Sequence, residues 1–196
     1  LLKKKQMQYS KLQKNTENHQ KEENAMVLDY LPYGYPMGGR TNPIAQAVGI
    51  KTLALLELIP RKGVSLEQKE KVYIGPDKRD KIYYIAGRLS SEKLTETAKI
   101  QLREFIEEVV AEQEKEYVDF FNTARAINTR LHQIELLPGF GQKHTKEILE
   151  ARKEKPFESF EDLKTRTANI PDPRKAVEKR ILEELSKRQR FNLFVN

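Results

Sequence analysis

The sequence predicts an α+β protein, in which a small β-barrel of the OB or S1 kind comes first and an all-α domain follows. Between residues 26 and 89, short apolar and β-branched runs alternate with turns that contain glycine and proline, a pattern typical of strands. From residue 90 onward, apolar residues recur at three- and four-residue spacing, which is typical of amphipathic helices. The change of period near residue 89 therefore separates a strand-forming part from a helix-forming part.

Five segments are expected along the 196 residues. They are a basic polar tail at 1–25, the barrel at 26–89, a long amphipathic connector helix at 90–118, a domain of short helices at 119–188 and a C-terminal tail at 189–196. The first tail has few apolar residues to bury, so we expect disorder or a frayed helix, or alternatively a basic arm that adds phosphate contacts. The C-terminal tail is apolar and is expected to pack on the domain or to bind a partner.

Composition excludes several classes of protein. The chain has no cysteine, which rules out disulfides, thiolate metal sites and cysteine nucleophiles. No run approaches the roughly 18 apolar residues that cross a bilayer, and no signal-peptide pattern opens the chain, so we expect a soluble, cytoplasmic protein without a membrane partner. The formal net charge is +7, and residues 120–196 carry 16 basic against 11 acidic residues. This excess favours a polyanionic partner, although basic residues also serve solubility.

The strands of the expected barrel are short. Val27–Leu31 and Leu53–Ile59 are apolar runs, whereas Val72–Ile74 and Ile82–Ile85 mix β-branched and aromatic residues. The polar run Gly75–Lys81 separates the last two as a hairpin tip. About five short strands suit a small closed barrel.

A single long helix is expected next, with Ser90 or Ser91 as its N-cap. Its apolar stripe runs from Leu94 to Tyr117, and the helix is expected to end near Val118. The opposite face carries glutamates that would repel phosphate. We therefore expect this helix to be a scaffold that joins the barrel to the following domain.

The motif that indicates function lies at residues 131–152, where two short helices are expected on either side of the turn Pro138–Gly141. Glycine tolerates positive φ in such a turn and lets a phosphate approach the backbone closely. The N–H groups that open the second helix favour an anion, because the helix dipole is positive there. Lys143 and Lys146 add positive charge, and the Phe140 ring is expected to point inward. The alternative is an ordinary turn between packed helices.

The run Leu137–Gly141, Leu-Pro-Gly-Phe-Gly, resembles the hairpin of the helix-hairpin-helix family, and the run from Arg152 to Lys164 is similar to bacterial DNA-uptake competence proteins. Together these runs point to a helix-hairpin-helix domain at 119–188. The resemblance implies sequence-independent binding of a DNA or RNA backbone through N–H groups. The residues that it assigns to nucleic-acid contact are Gly139, Phe140, Gly141, Gln142, Lys143, His144 and Lys146.

Such units often come in pairs, and the second turn is expected at Ile170–Arg174, before a helix over Lys175–Leu185. Both glycines are missing there. Asp172 would repel a phosphate and prolines lack the N–H donor, so we expect this second unit to be structural. Three nearby basic residues remain candidate secondary contacts, namely Arg174, Lys175 and Lys179.

Further contacts with unpaired bases are expected on the barrel at Tyr73 and Tyr83, and at Arg40 in a loop rich in proline and glycine. The alternative for the tyrosines is packing in the core or at the rim, and the alternative for the loop is a rigid cap over the barrel end. Because Tyr83 and Tyr84 are adjacent, they should face opposite sides of a regular strand, so that at most one points outward.

The order of barrel, long helix and hairpin domain is also similar to an archaeal family, the domain of unknown function 655. The runs that carry this resemblance are Asp29–Gly34, Leu55–Pro60, Val72–Gly75 and Leu137–Gly141. The resemblance spans the chain from Met26 onward. It implies an archaeal protein with a predicted RNA-binding role and no assigned reaction.

These patterns predict a non-enzymatic nucleic-acid-binding protein, with RNA favoured over DNA and a role in translation or RNA metabolism. No catalytic residue, metal site or cofactor is expected, because the three histidines have no ligand spacing and no carboxylate pair stands out. Two alternatives remain: an accessory subunit of a DNA repair or processing enzyme, and a protein-interaction scaffold with a purely structural hairpin. The sequence leaves the oligomeric state open.

Overall fold

The structure is a computed structural model that describes residues 22–36 and 42–195. Its fold is α+β, as the sequence predicts. The strands in these residues are β1 (Asn24–Leu31), β2 (Ile44–Gly49), β3 (Leu55–Pro60), β4 (Lys71–Tyr73), β5 (Ile82–Arg88), β6 (Ala126–Asn128) and β7 (Leu131–His132). The α-helices are α1 (Glu96–Glu112), α2 (Glu114–Thr123), α3 (Gln142–Glu154), α4 (Phe160–Arg166) and α5 (Pro173–Ser186). Two 3-10 turns lie at Ser91–Lys93 and Gln133–Leu136.

Five strands form one curled antiparallel sheet in the order β4-β1-β2-β3-β5. β1 pairs with β2 along most of its length and with β4 at its start. Its register against β2 shifts between Val27 and Asp29, and a bulge of this kind bends a strand and increases its twist. β4 and β5 are the edges, and no pairing joins them in the described ranges.

β2 is a strand that the apolar-run pattern missed. It is buried along its whole length, yet it contains two alanines and a glycine, which have low strand propensity. It lies at the centre of the sheet between β1 and β3. Pairing on both sides therefore overrides its local preference.

Residues ahead of the boundary that the sequence suggested are part of the fold. Ala25 is fully buried in β1 and pairs with Gly49. The Glu22 carboxylate accepts the N–H groups of Lys51 and Thr52 at 3.1 and 2.8 Å. The expectation of a disordered tail is therefore wrong for residues 22–25, and its remainder at 1–21 lies outside the described residues.

The central strands of the sheet are covered on both faces. Val27 and Leu58 belong to a core inside the curl, and both are fully buried. Leu28 and Val48, from the same central strands, belong instead to a larger core that they share with the helices. Since apolar residues are needed on both faces, the central strands do not show a strict inside-outside alternation.

The single long helix expected over residues 90–118 is two helices. Thr95 caps α1 by accepting the N–H of residue 98, and the chain leaves helical geometry at Gln113, with φ −103° and ψ 29°. The Glu114 carboxylate, just after the break, accepts the Phe160 N–H at the start of α4 at 2.8 Å. The apolar stripe marks the buried face correctly, but this long-range contact leaves no trace in the periodicity.

A buried polar contact joins the sheet to the start of α1. Gln46 of β2 has no exposed surface. Its amide nitrogen donates to the Lys93 carbonyl at 2.7 Å, and its amide oxygen accepts the Thr95 N–H at 2.9 Å. The Thr95 hydroxyl donates to the Asp29 carboxylate of β1 at 2.6 Å. Two central strands therefore fix the start of α1.

The C-terminal residues fold back against α5. Arg180 and Glu184, one turn apart, form a buried ion pair at 2.8 Å. The Glu184 carboxylate also accepts the N–H groups of residues 193, 194 and 195 at 2.7 to 3.0 Å. The ring of Phe194 packs edge-on against Tyr117 of α2, with centroids 5.6 Å apart. The apolar ending of the chain is thus part of the core.

Replacing Gln46 by Leu keeps the side-chain size but leaves the Thr95 N–H and the Lys93 carbonyl without their partner. We expect the free energy of unfolding to fall by about 1–3 kcal/mol, the usual cost of unsatisfied buried polar groups. Urea unfolding followed by circular dichroism measures this change. The matched control is Gln68→Leu at an exposed position, where we expect a change within about 0.5 kcal/mol. Equal free energies of unfolding for the two variants would contradict a stabilising role for this contact.

Candidate nucleic-acid interface

A strand hairpin and a 3-10 turn occupy the place of the first expected helix. β6 and β7 pair antiparallel, and Gln133–Leu136 then forms one 3-10 turn. The His132 ring accepts the Ile134 N–H at 3.2 Å, and the Glu135 carboxylate accepts the His132 N–H at 3.0 Å. Leu137 precedes a proline and is held extended, with φ −76° and ψ 134°, so the helix ends there. The prediction of a helix over 131–137 is therefore wrong.

We call Leu137–Gly141 the glycine hairpin. Gly139 has φ +85°, a left-handed conformation that favours glycine, and a Cβ there would lie 3.1 Å from the Pro171 Cγ. Gly141 has ordinary extended backbone, with φ −119° and ψ −174°, and no heavy atom lies within 4 Å of its Cβ position. The two glycines differ in role, because Gly139 permits the turn and Gly141 leaves the approach to α3 open.

Phe140 supports the glycine hairpin from inside, as expected. Its ring is buried, and its centroid lies 6.0 Å from Phe121 of α2 and 5.9 Å from His144. Its N–H donates to the Leu137 carbonyl at 3.0 Å. Because neither the ring nor the N–H is free, the observed role of Phe140 is packing, and its contact with nucleic acid stays a prediction.

The other candidates lie in the first turns of α3. Gly141, Gln142, Lys143 and Lys146 are exposed, and His144 is half-buried. The Gly141 N–H donates to the His144 Nδ1 at 3.3 Å. The N–H groups of residues 142 to 144 open the helix, and such groups have no acceptor inside it. Lys143 and Lys146 form no salt bridge within the described part of the chain.

A second turn, between α4 and α5, packs against the glycine hairpin through Pro171 and Gly139. Asn169 in this turn has φ +58°, so asparagine fills a left-handed position of the kind that glycine fills in the first turn. Asp172 caps α5 with its own side chain, and Pro173 is the first helical residue. The role of Asn169 is not predicted from the sequence, although asparagine ahead of Ile-Pro-Asp-Pro is a recognisable turn signal.

The basic residues after the second turn are placed differently from one another. The Lys175 ammonium pairs with two glutamates, at 2.8 Å within α5 and at 3.5 Å on α1. The Arg174 guanidinium lies 5.8 Å from the centroid of the Phe160 ring. Lys179 is exposed. Lys175 is therefore engaged within the protein, and Lys179 remains the most accessible of the three.

On the sheet, Tyr83 is exposed, whereas Tyr73 is half-buried and its hydroxyl donates to the Asp77 carboxylate at 3.2 Å. Tyr84 is also exposed, at 47%. β5 is an edge strand whose register against β3 shifts twice, so both adjacent rings stay accessible. The expectation that at most one points outward is wrong for this irregular strand. Arg40 lies outside the described residues.

His132 lies behind the glycine hairpin and is buried. Burial lowers the pKa of its imidazole, and the positive charge of Arg152 lowers it further. The Arg152 guanidinium in turn donates to the carbonyls of Phe121 and Ala124, both at 3.0 Å. The imidazole is thereby favoured in its neutral form, in which Nδ1 accepts the N–H of the 3-10 turn.

Within residues 22–36 and 42–195, no group of three or more His, Asp or Glu side chains is arranged to hold a metal ion. None of the helices in these same ranges is long and apolar enough to cross a membrane.

The model of a family described as "Protein of unknown function (DUF655)" matches residues 21–196. The chain belongs to the DUF655 family. It is 45% identical over 179 residues to the uncharacterised protein MJ0038 of Methanocaldococcus jannaschii. The aligned residues cover 90% of this chain and 81% of MJ0038. It is also similar to the crystal structure of Af1531 from Archaeoglobus fulgidus, described as DUF655, with a TM-score of 0.78 and 44% identity over 89% of this chain and 100% of that one. Both organisms are archaea, so the archaeal family resemblance is confirmed.

The two glycines of this DUF655 protein should differ when they are replaced. Alanine at Gly139 must adopt φ +85° beside Pro171, and we expect the free energy of unfolding to fall by about 1–2 kcal/mol. Serine at Gly141 meets open space and is a favoured N-cap, so we expect a change within about 0.5 kcal/mol. Urea unfolding measures both variants. Equal losses for Gly139→Ala and Gly141→Ser would contradict the different roles assigned to these positions.

The lowered pKa of His132 also predicts a pH dependence of stability. The unfolded histidine binds a proton near its ordinary pKa of about 6.5, whereas the folded ring resists protonation. The contribution of His132 is therefore complete above that pKa and is lost as the pH falls through the folded value. We expect His132→Gln to lose less stability than the wild type between about pH 7 and pH 5. Identical slopes in urea unfolding across this range would argue against the shift.

Proposed function

We propose that the protein binds nucleic acid without catalysing a reaction, and that it holds the phosphate backbone at the start of α3. The observation that supports this most directly is the open backbone at Gly141, which has no heavy atom within 4 Å of its Cβ position. A phosphate can approach the helix N-terminus from this open side, where the His144 ring is the side chain that contacts the Gly141 N–H. In this proposal the glycine hairpin is a helix-hairpin-helix element whose first helix is reduced to a 3-10 turn.

Local charge supports an anionic ligand at this position. The N-terminus of α3 has a partial positive charge, and each favourable contact with it contributes about 0.3–1 kcal/mol at exposed positions. Lys143 and Lys146 lie beside it. The nearest acid along the helix, Glu147, is half-buried, and the next, the exposed Glu150, pairs with Lys153 at 2.8 Å. The lysine ammonium lowers the pKa of the Glu150 carboxyl. The charge that faces an incoming phosphate is therefore mainly positive.

His144 limits which donors are free. Its Nδ1 accepts the Gly141 N–H at 3.3 Å, so a phosphate oxygen must either displace this acceptor or bind the next donors along the helix. Those are the N–H groups of residues 142 to 144, which have no acceptor inside the helix. We assign the main phosphate contact to the N–H groups of residues 142 to 144. The Gly141 N–H can contact the phosphate only when it leaves the His144 Nδ1.

The curled sheet is the second part of the proposal. Its five strands suit an OB-like module, a class that binds single strands on an open sheet surface. This is the reason that we favour RNA over DNA and a role in translation or RNA metabolism. An accessory role in a repair enzyme would instead be supported by nucleic-acid cleavage with Mg²⁺, and a scaffold role by one stoichiometric protein partner without nucleic-acid binding.

Introducing a negative charge at Gly141 should weaken binding. We expect Gly141→Glu to lower the affinity about tenfold or more, because a carboxylate replaces the phosphate as the anion at the helix terminus. Gly141→Gln has the same size without the charge and should lose less. Fluorescence anisotropy with labelled single- and double-stranded RNA and DNA measures the affinities, after thermal unfolding has shown that both variants fold. Unchanged affinity of folded Gly141→Glu would make the hairpin structural.

Phosphate contacts should also make the affinity salt-dependent. We expect Lys146→Ala to reduce the slope of the logarithm of affinity against the logarithm of salt concentration by about one. The control is Lys115→Ala on α2, an exposed lysine beside glutamates, which should leave the slope unchanged. Binding that is indifferent to salt would contradict a phosphate-based mechanism.

A further inference from the structure

A cavity of about 870 Å³ opens beside the edge strand β5. Its wall is formed by β5, by the end of β3 with the turn that follows it, by residues on either side of the β1–β2 connection, and by Lys93. This volume lies within the range of about 300–1,000 Å³ that is usual for ligand sites. The residues of the glycine hairpin and of α3 do not line it. It is therefore a separate surface from the phosphate site proposed above.

Two exposed tyrosines line this cavity. Tyr83 is 64% and Tyr84 is 47% exposed, and their rings meet edge to face with centroids 5.4 Å apart. Tyr33, beside the lining residue Gly34, is 79% exposed. In the described part of the chain only one other large apolar side chain, Ile100, is comparably exposed. Aromatic rings that cluster on the surface around a concavity are typical of binding sites.

The charge around the cavity is positive. Arg61, Lys62 and Lys93 line it, and none of them forms a salt bridge within residues 22–36 and 42–195. The Arg61 Nε donates to the Arg79 carbonyl at 2.8 Å, which holds its guanidinium in place. The lining includes one acidic residue, Glu57, and its carboxylate accepts the hydroxyl proton of Tyr35 at 2.9 Å. The cavity thus combines flat aromatic surface with three positive charges.

We propose that this tyrosine cavity binds unpaired bases of a single-stranded nucleic acid, and this inference rests on the proposed function. Bases stack on tyrosine rings, and phosphates between successive bases lie against the lysine and arginine side chains. A duplex is excluded because its base faces are already stacked and cannot enter a concave site. The substrate class is therefore single-stranded nucleic acid, because the hairpin holds any backbone and the cavity selects single strands.

The test compares single-stranded oligouridine RNA with duplex RNA of the same length, by fluorescence anisotropy on the full chain. We expect the double substitution Tyr83→Leu and Tyr84→Leu to weaken single-strand binding about tenfold or more, since each base stacked on an aromatic ring contributes to affinity. Duplex binding should not change. The matched control is Tyr83→Phe with Tyr84→Phe, which keeps both rings and should keep single-strand affinity. Because both tyrosines are exposed, we expect the variants to fold, and thermal unfolding checks this.

Gly141→Glu separates this inference from the proposed function, because it should weaken single-strand and duplex binding alike. If the wild type binds neither RNA, the proposed function itself fails. If Gly141→Glu weakens both but the leucine pair changes neither, the cavity inference fails alone. Binding of a polyproline peptide that the leucine pair abolishes, without any effect of that pair on RNA, would assign the cavity to a peptide partner and overturn the inference.

Discussion

One buried amide joins the two halves of the molecule, beside the apolar core that they share. Gln46 donates to the Lys93 carbonyl and accepts the Thr95 N–H, so both ends of its side chain are satisfied by the segment that opens α1. α1 then packs on β1 and against α5, and α5 carries the second turn, which contacts Gly139. Hydrogen bonds of this kind add little net free energy, but leaving a partner unpaired is costly. The amide therefore selects one arrangement of sheet and helices.

Aromatic packing fixes the glycine hairpin within that arrangement. The Phe121 ring of α2 contacts Phe140 of the hairpin and Phe160 at the start of α4, with centroids 6.0 and 6.5 Å apart. The break at Gln113 directs α2 so that Phe121 lies between these elements, and the hydrogen bond from the Phe160 N–H to Glu114 holds the break. Under the proposed function, a phosphate would therefore meet a hairpin that packing already holds in place, which lowers the entropic cost of binding.

The sequence predicts those parts of the fold that local chemistry decides. The strands rich in β-branched residues, the buried stripe of α1 and the turn at Gly139 are visible because each residue type has a strong local preference. β2 is missed because pairing on both sides makes it a strand, and the break at Gln113 is missed because Glu114 finds its partner 46 residues away. At the candidate site the inward Phe140 ring is predicted from the sequence, whereas the exposure of Tyr84 on the sheet is not. Alternation along a regular strand would place Tyr83 and Tyr84 on opposite faces, but the register shifts of β5 against β3 leave both exposed.

The two turns of the helical half differ in how accessible the helix N-terminus after each turn is. This difference determines which turn can hold a phosphate in the proposed mechanism. At Gly141 the N-terminus of α3 is open, whereas at α5 the Asp172 carboxylate already accepts the Lys175 N–H at 3.0 Å and Pro173 has no N–H to offer. The second turn therefore carries a negative charge where a phosphate would lie, and its contribution is the contact of Pro171 with Gly139. A chain with one competent hairpin has few phosphate contacts, and its affinity for a backbone alone should be weak at physiological salt. Under the proposed function, a second binding surface is required for the protein to bind nucleic acid tightly at physiological salt. Under the inference above, the tyrosine cavity would supply this second surface, because each base stacked on an aromatic ring adds about 1–3 kcal/mol to binding.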